Sequence, residues 1–100
     1  QALISLYISE TSVCMSRLEC MSKRAFNQEV LHGLYPEDIV ENIFRGKPIF
    51  SSIGLRKKGD GFTQSIVKKE KYNIEYTVLN QQIVFRDTIN AILIQVKKQY

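Results

Sequence analysis

Glu75 is a carboxylate that the strand pattern sets on one face with two guanidiniums, Arg56 and Arg86, and His32 is the chain's only histidine. Transesterification at an RNA phosphate uses those residue types. It needs a base for the 2′-hydroxyl proton, cations for the pentavalent phosphorane and an acid for the leaving 5′-oxygen. On that chemistry Glu75 is the base, Arg56 and Arg86 form the phosphate clamp, and His32 is the acid. Lys57, Lys58 and Thr77 are the neighbouring substrate-binding candidates. The bland alternative is a solvated sheet face with ordinary cross-strand ion pairs, beside a His32 that caps helix-end carbonyls next to Gly33. The sequence has no Ser/His/Asp set, no phosphate-cradling glycine loop and no carboxylate cluster. Neither a metal nor any other cofactor is therefore expected.

These residues need a scaffold, and the hydrophobic period supplies one. Residues 2–9 alternate only in part and fit an edge strand or a helix start. From Thr11 the spacing turns helical: Thr11 or Ser12 can cap, and Cys14, Leu18, Met21 and Ala25 follow at steps of four, three and four,. That spacing predicts a helix within 12–31, stopping near Gly33. The segment LYPEDIVENIFRG predicts a second helix, with Pro36 at its first position, Glu37 and Asp38 in its first turn and Gly46 just past its end,. Ile39, Val40, Ile43 and Phe44 form its apolar face.

Beyond Pro48 the period shifts towards two. Ile49, Ile53 and Leu55 read as one buried side of a strand, and Lys58-Gly59-Asp60-Gly61 as a hairpin turn,. Residues 62–68 return as a strand, Lys68–Lys71 turn, and KYNIEYTVL alternates cleanly. Asn80-Gln81-Gln82 leads into a short strand at 83–86. The tail over 89–98 fits helix or strand, and its β-branched density favours strand. Ile49, Ile53, Leu55, Ile74, Tyr76, Val78, Ile83 and Phe85 would cover the helices, leaving Ser52, Arg56, Glu75, Thr77 and Arg86 on the open face. Of the tyrosines and phenylalanines that could stack on bases, Tyr76 and Phe85 thus fall on the core side. The expected architecture is α+β: N-terminal helices over 11–45, packed on one face of a four- or five-stranded antiparallel sheet over 48–98. Residues 1–100 read as one domain excised from a longer chain.

Composition narrows the functional classes. The 100 residues are 44% hydrophobic and 24% charged, which is globular rather than disordered. No apolar run approaches the ~20 residues of a membrane-spanning helix. Residues 1–50 carry five Lys/Arg against six Asp/Glu, whereas residues 51–100 carry nine against four. A basic half of this kind points to an anionic partner, with RNA the leading candidate. Two lysine-rich turns hold most of the excess, and keeping sheet edges soluble is the simpler reason for such turns. Cys14 and Cys20, six apart on a helix, would lie on different faces and not bond, as free buried thiols in a reducing compartment.

The stretch KRAFNQEVLHGLYPEDIVENIFRGKPIF, residues 23–50, followed by basic antiparallel strands, resembles small RNase-toxin domains of the barnase, colicin and RelE kind. In one branch a His-Ala pair, a downstream arginine and an Arg-Gly-Ile precede an acidic-start helix and a sheet. Here Ala25 matches the alanine and His32 stands at the second arginine position. Gly33-Leu34 replace Gly-Ile, Arg24 occupies the histidine position and Gln28 the first arginine position. The resemblance implies a metal-independent ribonuclease acting in the cytoplasm with its site on the exposed sheet. It also implies delivery from a larger, secreted toxin, or pairing with an antitoxin or immunity protein. The rival expectation is a non-catalytic protein-interaction or nucleic-acid-binding domain, marked by an exposed apolar patch such as Ile92/Leu93/Ile94 or an open sheet edge.

Overall fold

The computed structural model describes residues 4–5, 7–8, 12–14 and 20–97. Two short helices, α1 (Lys23–Glu29) and α2 (Ile39–Arg45), precede a large sheet. Its strands β5 (Leu55–Lys58), β6 (Gly61–Lys68), β7 (Tyr72–Leu79), β8 (Gln82–Asp87) and β9 (Ile92–Lys97) form an antiparallel meander. A two-residue strand, β1 (Ile4–Ser5), pairs in parallel with β9, so the sheet order is β1-β9-β8-β7-β6-β5. A separate small sheet holds β2 (Tyr7–Ile8), β3 (Val13–Cys14) and β4 (Cys20–Met21). The fold is α+β, with the N-terminal helices on one face of the antiparallel strands.

Hairpin geometry sets the register. The β5–β6 turn pairs Lys58 with Gly61 across Gly59-Asp60, and the β7–β8 turn pairs Leu79 with Gln82 across Asn80-Gln81. Both Asn80 and Gln81 take positive φ, the twist that lets a two-residue loop join right-twisted strands. The strand over 92–97 resolves the ambiguous tail in favour of strand.

Alternation then decides the two faces. Ile66, Ile74, Tyr76, Ile83, Phe85, Ile92 and Ile94 are buried against Phe26, Leu31, Tyr35, Ile39 and Ile43 of the helical layer. Each such fully buried side chain contributes about 1.5–3 kcal/mol of transfer free energy. Ile92, Leu93 and Ile94 are buried, so they do not form an exposed apolar patch. Tyr76 donates to the Lys47 carbonyl at 2.9 Å, tying the end of α2 to the sheet. Gly46 closes α2 in the left-handed conformation at φ 67°, its N–H reaching the Asn42 and Ile43 carbonyls.

Four expectations are corrected. Cys14 and Cys20 sit directly opposite on β3 and β4 and form a disulfide. The step pattern suggested helical faces, but on paired strands the two side chains meet. The helix expected from residue 12 begins at Lys23, capped by Ser22, whose hydroxyl accepts from the Ala25 N–H; Thr11 and Leu18 lie outside the described residues. The second helix starts at Ile39 rather than at Pro36, whose carbonyl accepts from the Ile39 N–H in the preceding turn.

The stretch expected as strand from Ile49 is instead a left-handed turn: Phe50, Ser51 and Ser52 all have positive φ. Such a conformation costs about 1–2 kcal/mol per non-glycine residue. Gln64 holds it. Its buried side chain accepts from the Ile49 N–H and donates to the Ile49 and Ile53 carbonyls, each at 2.8 Å. Gly54 completes the turn at φ 66°, where a Cβ would lie 2.3 Å from the Ser65 carbonyl oxygen.

Candidate functional site

The open face of the sheet is built from the alternate residues that the core does not use. Pairing places Ser65, Glu75, Arg86 and Leu93 in one cross-strand row. The adjacent row on the same face holds Arg56, Thr63, Thr77, Val84 and Gln95. Glu75 and Arg86 are therefore direct neighbours across β7 and β8, and both are exposed. Ser65, on the other side, donates its hydroxyl to Glu75 Oε1 at 2.6 Å. Pairing Lys68 with Tyr72 across Lys69-Glu70-Lys71 fixes this Ser65–Glu75 neighbour, a register that the turn signal over Lys68–Lys71 does not settle by itself.

The remaining candidates scatter. Thr77 is half-buried and stands one row from Glu75. Arg56 shares the face but lies two strands away and one row along, about 12 Å between backbones at standard strand spacings. Lys58 is on the same face at the hairpin end, whereas Lys57, opposite Phe62, takes the helical-side parity; all three basic side chains are exposed. His32 is exposed in the α1–α2 connection, next to the core residue Leu31 and with φ 56°. It belongs to the helical layer, behind the sheet relative to Glu75. Glu75 and Arg86 are brought together; His32 does not join them.

Charge is distributed by layer. Among the described residues the ion pairs are Lys23–Glu41 at 2.5 Å, Arg24–Glu37 at 2.9 Å and Arg45–Glu41 at 2.6 Å, all on the helical side. Hydrogen bonds from Lys23, foremost, and from Arg45 hold the Glu41 carboxyl below its usual range against a smaller opposing effect of burial. Arg56, Lys57, Lys58, Lys68, Lys69, Lys71 and Arg86 have no such carboxylate partner among the described residues, and all are exposed. Arg56, Lys57 and Lys58 make up three of the four residues of β5, and β5 ends the sheet.

A second polar cluster is structural. Asp87 is buried at the end of β8 and accepts from Tyr35 Oη at 2.5 Å, Asn90 Nδ2 at 2.7 Å and the Asn73 N–H at 3.1 Å. It ties the loop before α2 to two strand ends. Among the described residues no group of three His, Cys, Asp or Glu side chains could hold a metal ion. No helix among them is long and apolar enough to cross a membrane. No protein-family model matches the chain, and no curated protein or solved structure matches it either.

Proposed function

We propose that the protein is a non-catalytic binding domain for an anionic macromolecule, and that the basic edge of its large sheet is the contact surface. The observation that carries this reading is the segregation of charge. Among the described residues Lys23, Arg24 and Arg45 of the helical layer are ion-paired, whereas the exposed cations of β5 and the strand turns have no carboxylate partner. Unpaired surface cations keep their full attraction for a polyanion, and contacts of this kind give binding that weakens steeply with salt.

The test is binding of the whole chain to transfer RNA and to polyglutamate over a series of salt concentrations. Both polyanions are expected to bind at low salt and to dissociate as salt rises. Replacing Arg56, Lys57 and Lys58 together by Gln is expected to flatten the salt dependence. Failure of both polyanions to bind at low salt would overturn the proposal.

A second reading, RNA cleavage by 2′-hydroxyl transesterification, is favoured by one observation: Glu75 lies directly between Ser65 and Arg86 on an exposed face. In that reading Glu75 takes the proton and Arg86 stabilises the phosphorane, with Arg56 holding the flanking phosphate. Incubation with transfer and ribosomal RNA in EDTA separates the two. Cleavage that is lost in Glu75→Gln replaces the non-catalytic reading; intact RNA supports it. The Cys14–Cys20 disulfide supports formation of the fold in an oxidising compartment,.

A further inference from the structure

We infer that the partner of this basic edge is an acidic, extended polypeptide segment that adds to β5 as a further strand of the large sheet. The inference rests on the anionic-partner reading and specifies its chemistry.

Among the described residues β5 is the last strand in the sheet order, paired with β6 along one side only. Its other side presents alternating N–H and C=O groups, which another strand satisfies in full and a phosphate backbone does not. Side chains make the edge selective. Arg56 and Lys58 rise from the open face and Lys57 from the helical face, so each side of an added strand would meet a cation. Carboxylates at alternate positions of an incoming strand would lie opposite Arg56 and Lys58, at cross-strand distances where unlike charges attract. A second copy of the chain would set like charges against like, which disfavours self-pairing.

The aromatic residues point the same way. Phe62, Tyr72, Tyr76 and Phe85 all take helical-side positions in strands β6–β8, buried or half-buried. The open faces of these strands thus offer no ring on which an unpaired base could stack.

The experiment uses the full chain and three probes: an acetylated octapeptide of alternating Glu and Thr, the same peptide with every amide N-methylated so that neither edge can donate, and a transfer RNA. The unmodified peptide is expected to bind and to slow amide exchange at alternate residues of β5. Arg56→Glu combined with Lys58→Glu should weaken that binding at least tenfold. N-methylation keeps the charge but removes the ladder, and should abolish binding. Equal binding of the N-methylated peptide would overturn strand addition and leave the anionic-partner reading in place. So would binding of the RNA with none of the unmodified peptide. Loss of binding to all three probes would overturn both.

Discussion

At the scale of single residues, Asp87 shows how a buried charge is tolerated. Burial by itself would raise its pKa, but hydrogen bonds from Tyr35, Asn90 and the Asn73 and Asn90 N–H groups more than offset this and hold the carboxyl below its usual range,. Burial first, and the Asp87 carboxylate second, push the Tyr35 phenol far above its ordinary value. A carboxyl depressed in the folded state contributes stability that is present above its unfolded pKa of about 3.9 and lost as pH falls through the folded value. Unfolding free energy should therefore hold from neutrality to about pH 4 and decline below it. Asp87→Asn is expected to cost about 2 kcal/mol at pH 7 and to make the acid decline shallower. Glu41, also held low, keeps part of it. Denaturant titrations at stepped pH measure both effects. Sequence reasoning passed over Asp87 because its partners Tyr35 and Asn73 lie 52 and 14 residues away. Glu75 and Arg86, by contrast, were legible as sharing a face from strand alternation, and the single β7–β8 turn makes them direct neighbours.

At the scale of elements, what was legible is what local chemistry decides. Gly59-Asp60 and Asn80-Gln81 mark their hairpins, and Gly46 marks the end of α2. The left-handed turn over Phe50–Ser52 has no comparable signal, since it is held from β6 by Gln64. The β3–β4 pair failed for a related reason. Cys14 and Met21 satisfy helical spacing, yet the disulfide and the burial of Val13 require strands. That bond closes a short loop, with a sequence separation of 6. Chain-entropy arguments put its contribution at about 2 kcal/mol. A Cys14→Ser/Cys20→Ser variant, or the chain under reductant, is expected to lose about that much unfolding free energy and so to unfold at lower denaturant. Because Val13 is fully buried in the main core, loosening this hairpin should be felt beyond it. Amide exchange at Phe26 and Ile39 should quicken in the same variant. An unchanged midpoint would show that the hairpin is held by packing alone.

At the scale of the whole molecule, the net charge of +4 is less informative than its placement. Ion pairs offset most of the charge of the helical layer, so the excess belongs to the sheet, where β5 and the Lys68–Lys71 turn carry most of it. An edge strand of unpaired backbone groups is a template for another copy of the same strand, and lysine along it is a common defence. The three cations of β5 thus serve two purposes that share one cause: they repel an identical edge and attract an acidic one. Replacing Arg56, Lys57 and Lys58 by Gln lowers the net charge to +1 and leaves every buried contact in place. Exposed substitutions of this kind change stability by no more than about 0.5 kcal/mol. The variant should therefore keep its denaturation midpoint while losing its protection against self-pairing. Its sedimentation coefficient is expected to rise with concentration more steeply than that of the unaltered chain. Arg56→Glu with Lys58→Glu, which restores like-charge repulsion with the opposite sign, should suppress that rise. If the Gln and Glu variants associate equally, the repulsion is not what keeps the edge open, and the selectivity argued for β5 loses its basis.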